Sequence, residues 1–133
     1  MRLFTIFFSI IAISQGSCHF KDASLCEKYR NGTFIYSPKG SSRNLVLERA
    51  DSIQIEKDLT TGRSSKYKIS WSGCNYSMVL LEANFELHEN MKPEDYRFKY
   101  EIIKQTDEYY VFKEISGMFE NSIESDTIWL KRR

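Results

Sequence analysis

The sequence contains few of the residue patterns that are typical of catalytic sites. The chain contains two histidines, His19 next to Cys18 near the N-terminus and His88 in a polar loop, and we do not expect them to share a site. No serine lies in a Gly-x-Ser-x-Gly elbow, and no glycine-rich phosphate loop is present. His88 with Glu86, Glu89 and Glu94 could imitate a metal site, but it lacks the ligand spacing of closed sites. We therefore predict a non-catalytic protein without a metal or cofactor.

The chemistry that remains belongs to three cysteines, Cys18, Cys26 and Cys74. In an exported chain an odd cysteine count requires an explanation, because an oxidising compartment pairs thiols. If Cys18 is modified, Cys26 and Cys74 are left for a disulfide that would tie the N-terminal segment to a central turn. A Cys18–Cys26 pair and reduced, buried cysteines are the alternatives.

Export is indicated by the N-terminal segment. Residues 1–17 combine an early basic residue, Arg2, with a charge-free apolar run that is too short for a permanent membrane span, followed by small polar residues. We predict a signal peptide over residues 1–17 and a single domain over 18–133. Gly16-Ser17-Cys18 resembles the acylation site of bacterial lipoproteins, although Gln15 departs from the usual aliphatic residue. The resemblance implies a lipid anchor on Cys18; cleavage without acylation is the alternative.

The charge of the chain argues against nucleic acid as a partner. It has 19 Lys and Arg against 18 Asp and Glu, and only Arg2 of these lies within residues 1–17. Both signs are interspersed, so a concentrated basic face of the kind that binds phosphates is not expected.

A central hairpin organises the predicted fold. Tyr67, Ile69 and Trp71 alternate along one strand, and a turn at residues 72–75 leads into a second alternating strand. Gly73 and Asn75 are residue types that tolerate the positive φ that hairpin turns need. The other segments also read as short strands between turn residues, after a short helical segment within residues 21–30. The predicted strands cover residues 33–36, 44–49, 52–57, 67–71, 76–81, 97–106, 109–115 and 127–131.

About eight consecutive strands with short connections predict an all-β, antiparallel up-and-down meander that closes into a small barrel or half-barrel. A two-sheet sandwich is the alternative. In the third strand, we expect Ile53 and Ile55 to face inward and Gln54 and Glu56 to face outward.

Aromatic side chains are abundant, at 14% of the chain. They predict either a filled core or a partly open barrel that binds a small apolar ligand. Tyrosine and tryptophan offer both an apolar face and a polar tip, and so the candidate ligand-binding residues are Tyr67, Trp71, Tyr76 and Tyr100. The other function that we consider is a protein–protein interaction module of the cell envelope with no small-molecule site. The aromatic residues expected to alternate into strand faces are Phe34, Tyr36, Tyr67, Trp71, Tyr76, Phe98, Tyr100, Tyr110, Phe112 and Trp129.

Two motifs carry a resemblance to a known group. Cys26 followed by Gly32-Thr33-Phe34, and Trp71 followed by Cys74-Asn75-Tyr76, resemble small exported proteins of Bacteroidetes, particularly flavobacteria, that have no established activity. The resemblance implies a lipocalin-like strand layout, a Cys26–Cys74 pair and a location in the periplasm or at the outer membrane or cell surface. Some members are labelled topoisomerases, but this chain has no basic groove and is far too short for that activity.

Overall fold

Eight antiparallel strands, joined in chain order, close into a barrel in the computed structural model, which describes residues 23–117 and 125–132. The last strand pairs with the first through Ile35 and Trp129, which closes the sheet. The predicted up-and-down barrel is therefore confirmed, and the sandwich and the open half-barrel are not formed. The strands are β1 Gly32–Tyr36, β2 Leu45–Ala50, β3 Ile53–Asp58, β4 Ser64–Ser72, β5 Asn75–Ala83, β6 Arg97–Gln105, β7 Tyr109–Ser116 and β8 Asp126–Leu130.

The two ends of the barrel differ. At one end, short turns join β2 to β3, β4 to β5 and β6 to β7, and a 3-10 helix, Ala23–Tyr29, precedes β1. At the other end, the connections are longer, and the one between β5 and β6 contains a single helical turn, Pro93–Asp95. We call these the closed end and the open end. The predicted signal peptide, Cys18 and His19 lie outside the described residues.

Turn residues explain where several strands stop. Gly73 has φ of 61° in the β4–β5 turn, and Asp51 has φ of 55° in the β2–β3 turn, and both short turns require this conformation. Asn75, which we expected to belong to the turn, is the first residue of β5. Just beyond the end of β5, the Asn84 side-chain oxygen accepts from the Ser64 backbone N–H, and the Asn84 backbone N–H donates to the Ser64 carbonyl oxygen.

The prediction for β3 is wrong about which face is inside. Gln54 is 1% exposed, and Glu56 lies on the same, inward face, whereas Ile53 and Ile55 lie on the outer surface. Gln54 pairs with Arg49 on β2, and both side chains point into the barrel. Because alternation defines two faces without saying which is buried, the side-chain partners on neighbouring strands decide.

Trp129 was also predicted on the wrong face of the sheet. It is 48% exposed and packs against Tyr109 on the outer surface, with ring centroids 4.7 Å apart. Ile103, which interrupts the expected alternation of β6, lies at a bulge between Ile102 and Lys104. The other aromatic residues expected on the inner face do contribute to or pack against the buried core.

The described residues include no helix that is long and apolar enough to cross a membrane.

Candidate ligand-binding interior of the barrel

A disulfide fastens the N-terminal helix across the closed end. Cys26 in the helix is bonded to Cys74 in the β4–β5 turn, with the Cα atoms 5.4 Å apart. This confirms the Cys26–Cys74 pair, which was one of the pairings that the sequence left open. Tyr29, at the end of the same helix, donates a hydrogen bond from its hydroxyl to the carbonyl oxygen of Thr106 in the β6–β7 turn. The helix is therefore tied to two of the turns and seals this end.

Inside the closed end lies a buried arginine, Arg49, which is 4% exposed. Its Nη1 donates to the carbonyl oxygen of Tyr29 at 3.0 Å, and its Nη2 donates to the Tyr110 hydroxyl at 2.7 Å. Its Nε donates to Oε1 of Gln54. Burial by itself lowers the pKa of Arg49, but Tyr110 and Tyr76 outweigh it and the pKa is raised. The guanidinium is therefore charged and fully engaged by the protein.

Aromatic rings surround this guanidinium. The ring centroids of Phe34, Tyr76, Trp71 and Tyr110 lie 4.9, 5.1, 5.5 and 5.5 Å from its central carbon. Rings within about 6 Å attract a cation through their negative faces. The closed end is thus a packed site in which the protein holds its own cation.

Gln54 connects this cluster to the middle of the barrel. While its oxygen accepts from Arg49, its Nε2 donates to Oε1 of Glu56 at 2.7 Å. The amide therefore bridges a cation and a carboxyl group that do not touch each other. Among the described residues, Gln54 Nε2 is the one hydrogen-bond donor to the Glu56 side chain.

Glu56 occupies an unusual environment for a carboxyl group. Desolvation raises its pKa above the ordinary value of 4.5, against the opposing effects of the Gln54 hydrogen bond and the charges of Arg49 and Arg43. Yet Glu56 keeps partial solvent accessibility, whereas Asp58, one inward position nearer the open end, is 3% exposed. The residue is therefore half-buried, and its carboxyl group is enclosed by protein.

Three tyrosines share that environment. Burial raises the pKa of Tyr36, Tyr67 and Tyr100, with Tyr67 reaching about 12, and the negative charge of Glu56 contributes to each shift. Tyr100 is also half-buried and faces the interior from β6, a strand not adjacent to β3.

The carboxyl groups nearer the open end already have partners. Asp58 accepts from Arg43 Nε at 2.8 Å, which, with backbone N–H groups, lowers its pKa to about 2. Asp126 accepts from the Tyr36 hydroxyl at 3.1 Å and from the backbone N–H of Lys39 at 3.0 Å. These contacts hold the rim of the open end together.

The four predicted ligand-binding residues all face inward, at two different levels. Trp71 and Tyr76 lie in the closed-end cluster, with ring centroids 4.7 Å apart. Tyr67 and Tyr100 lie at the level of Glu56, and Tyr100 contacts Tyr76 at a centroid distance of 5.1 Å. The structure therefore joins Trp71, Tyr76 and Tyr100 through neighbouring rings, and it joins Tyr67 to Tyr100 through Phe98.

Sequence reasoning missed the polar residues of the interior, Arg49, Gln54 and Glu56. A signal was present, because Arg49 and Gln54 flank a short turn at positions that pair across a hairpin. Alternation with Ile53 and Ile55 led to the assignment of Gln54 and Glu56 to the outer face, and Arg49 was assigned to neither face.

The structure offers little for metal-dependent chemistry. The parts of the chain that the structure describes bring together no group of three or more His, Cys, Asp and Glu residues suited to a metal ion. His88 is exposed in the β5–β6 connection.

Comparisons with protein-family models, with curated proteins and with solved structures found no match to this chain.

Proposed function

We propose that this protein is a non-catalytic, exported cell-envelope protein that binds a small, largely apolar molecule inside its barrel. One observation carries the proposal. The interior of the barrel is lined by aromatic side chains that are only half-buried, among them Tyr36, Phe98 and Tyr100.

The side chains that line the barrel interior are suited to a small apolar molecule. Phe98 stacks beside Tyr100 with centroids 6.3 Å apart, and Phe112 meets Tyr100 edge-on at 5.4 Å. Binding pockets in proteins combine this kind of apolar, aromatic wall with a few polar groups. Here Tyr67, Tyr100 and Glu56 would supply those polar groups.

Export and anchoring are part of the proposal. The Cys26–Cys74 disulfide is compatible with an oxidising compartment such as the periplasm. It also accounts for two of the three cysteines and leaves Cys18 for acylation. Intact mass spectrometry of protein purified from its native envelope, with and without reduction, tests this. A chain that begins at Cys18 and carries acyl groups is expected, and an unmodified Cys18 would contradict the anchor.

Binding in the interior can be tested with the neutral fluorescent probe N-phenyl-1-naphthylamine. We expect its fluorescence to rise on binding and the amide NMR signals of residues lining the middle of the barrel to shift. Ser65→Leu should weaken binding at least about fivefold, because Ser65 is 8% exposed and pairs with Glu56 across β3 and β4.

Ser70→Leu is the matched control, because Ser70 lies on the exposed face of the same strand. It should leave probe binding unchanged. No binding, or equal weakening by both substitutions in folded protein, would contradict an interior site.

An envelope interaction module is the second candidate function. It is favoured by exposed Trp129, which packs against half-buried Tyr109, together with Ile103, which is 38% exposed, on the outer surface of β6 to β8. If this surface is the functional one, Trp129→Ser should abolish cross-links to an envelope protein in native cells. Ser65→Leu should leave those cross-links intact.

A further inference from the structure

We propose that the outer surface of the barrel carries a second binding site, which takes an acidic saccharide. The site is a groove across β4, β5 and β6, away from the barrel interior, and so it does not depend on the interior ligand. We call it the outer groove. The side chains that define it are Ser70, Ser72, Asn75, Ser77, Lys99 and Ile115.

The structure provides open space at this surface. The outer groove is a depression of about 320 Å³, and a neighbouring depression of about 360 Å³ extends it past Arg97 to Gly117. The two depressions share Ser77 and Lys99 and therefore adjoin. Together they offer an elongated site, which suits a short chain of sugar units better than one compact molecule.

Cross-strand pairing explains the shape of the groove. Ser70 on β4 pairs with Ser77 on β5, and Ser77 pairs with Lys99 on β6. Because paired residues of neighbouring strands lie side by side on one face, these three side chains form a row across the sheet. The two small serines leave a floor beside a wall made by Lys99 and by Ile115, which is 54% exposed. The apolar side chain of Ile115 and the methylene stem of Lys99 can contact the C–H face of a sugar ring.

The polar groups of the floor are neutral. In the part of the chain that the structure describes, the hydroxyls of Ser70, Ser72 and Ser77 and the side-chain amide of Asn75 make no hydrogen bond to another protein group. Hydroxyl and amide groups both donate and accept hydrogen bonds. Sugar hydroxyls require both kinds of partner at short intervals, and so the floor matches a saccharide.

The charges at the groove favour an acidic saccharide over a neutral one. Lys99 is the charged residue of the first depression, and Arg97 lines the second together with Asp95. Asp95 already accepts from the backbone N–H of Lys92 at 2.8 Å, and Arg97 Nε donates to the carbonyl oxygen of Glu94 at 2.8 Å. The ion pairs among the described residues include neither Lys99 nor Arg97. Two cations two residues apart on one face of β6 can therefore both approach a carboxylate of the ligand.

Trigalacturonate and its neutral methyl ester test the inference, because they share a sugar backbone and differ in charge. Binding to the unacylated mature protein is followed by NMR titration at low salt and at about pH 7, where carboxyl groups of this kind are ionised. We expect the amide signals of Ser70, Ser77 and Lys99 to shift. The acid should bind about fivefold more tightly than the ester.

Substitutions separate the charge of the groove from its shape. Lys99→Met should weaken trigalacturonate binding about fivefold and leave the ester unchanged. Lys57→Met is the matched control, because Lys57 is an exposed lysine on β3, outside the groove, and it should leave both affinities unchanged. Ser70→Leu fills the groove and should weaken both saccharides at least about threefold. It should not affect N-phenyl-1-naphthylamine, which reports on the interior site.

The outcomes distinguish this site from the interior site. The inference is wrong if the saccharide does not shift the groove signals, if the ester binds as tightly as the acid, or if Lys57→Met weakens binding as much as Lys99→Met. Saccharide binding without binding of N-phenyl-1-naphthylamine would support the outer groove and contradict the interior site. Phosphatidylglycerol vesicles test a lipid headgroup as the occupant. Vesicle binding that Lys99→Met abolishes, in a protein that does not bind trigalacturonate, would overturn the inference.

Discussion

The closed end and the middle of the barrel are built from similar side chains but differ in how completely those side chains are satisfied. At the closed end, Arg49 donates to three partners and is covered by aromatic rings. In the middle, Glu56 receives one bond from Gln54, keeps accessible surface and has a raised pKa. A polar group that a fold needs for its own stability is normally fully bonded. The comparison therefore assigns the closed end to stability, and binding in the interior is our proposal.

The largest effect is expected from the disulfide that fastens the closed end. A Cys26→Ala/Cys74→Ala double variant should lose about 4 kcal/mol of unfolding free energy, because the crosslink constrains a long loop in the unfolded chain. Urea unfolding measures this loss. Amide NMR signals of β3 should be unchanged in the folded variant, and large shifts at Glu56 would show that the two regions are not separate.

Arg49→Met should destabilise the protein by about 3 kcal/mol, because it leaves the Tyr29 carbonyl oxygen and Gln54 without their buried partner. Lys68→Met, an exposed position on β4, should cost less than about 0.5 kcal/mol. Urea unfolding of both variants makes the comparison. Equal losses would remove the stabilising role assigned to Arg49.

In contrast to Arg49→Met, the Glu56→Gln substitution should raise the free energy of unfolding at neutral pH. Because burial raises the pKa of Glu56 in the fold, the folded state binds that proton more tightly than the unfolded chain. Stability therefore falls as the pH rises from the ordinary value of 4.5 through the folded pKa, and the substitution removes this fall.

Urea unfolding of wild type and Glu56→Gln over a pH series tests this, with Glu48→Gln as control. A more stable Glu56→Gln variant would show that the buried carboxylate reduces stability, as functional residues often do. A less stable Glu56→Gln would instead place Glu56 in the structural framework, like Arg49.

The smallest effect is expected at the open end. There, in contrast to Glu56, stability is lost as the pH falls. The Arg43 hydrogen bond lowers the pKa of Asp58 to about 2, so its contribution to stability is present above the ordinary value of 3.8 and is lost as the pH falls. Asp58→Asn should therefore be less stable than wild type at neutral pH, and the difference should shrink toward about pH 2.

The control for Asp58→Asn is Asp107→Asn, because the Asp107 side chain is fully exposed although it pairs with Lys28. We expect no comparable pH-dependent difference there. An Asp58→Asn difference that persists to low pH would mean that Asp58 acts through its shape and not through its charge.

Much of this fold could be predicted from local patterns. Alternation placed Tyr67, Ile69 and Trp71 on one face of β4, and the structure buries or packs all three on the inside. The turn glycine Gly73 marked the hairpin, and it has the positive φ that the turn needs. Such features depend on side-chain period and on the φ preferences of a few residues, which neighbours in sequence determine.

The candidate site could be predicted only in part. The aromatic residues Tyr67 and Tyr100 were identified because their type suits a barrel interior. Glu56 was missed because a glutamate in an alternating strand normally faces water. The reason for its burial is a partner, Gln54, which is itself oriented by Arg49 on another strand.

The sequence by itself determined where the strands and turns lie, because period-two alternation and turn-forming residues act over a few neighbours. Only the tertiary structure decided which face of β3 is inside, since a strand's orientation depends on its pairing with β2 and β4. Closure of β1 against β8 then brought Glu56 and Tyr100, from strands that do not pair, around one interior space. A site formed across a barrel depends on this closure, because residues distant in sequence become neighbours only when the sheet curves back on itself.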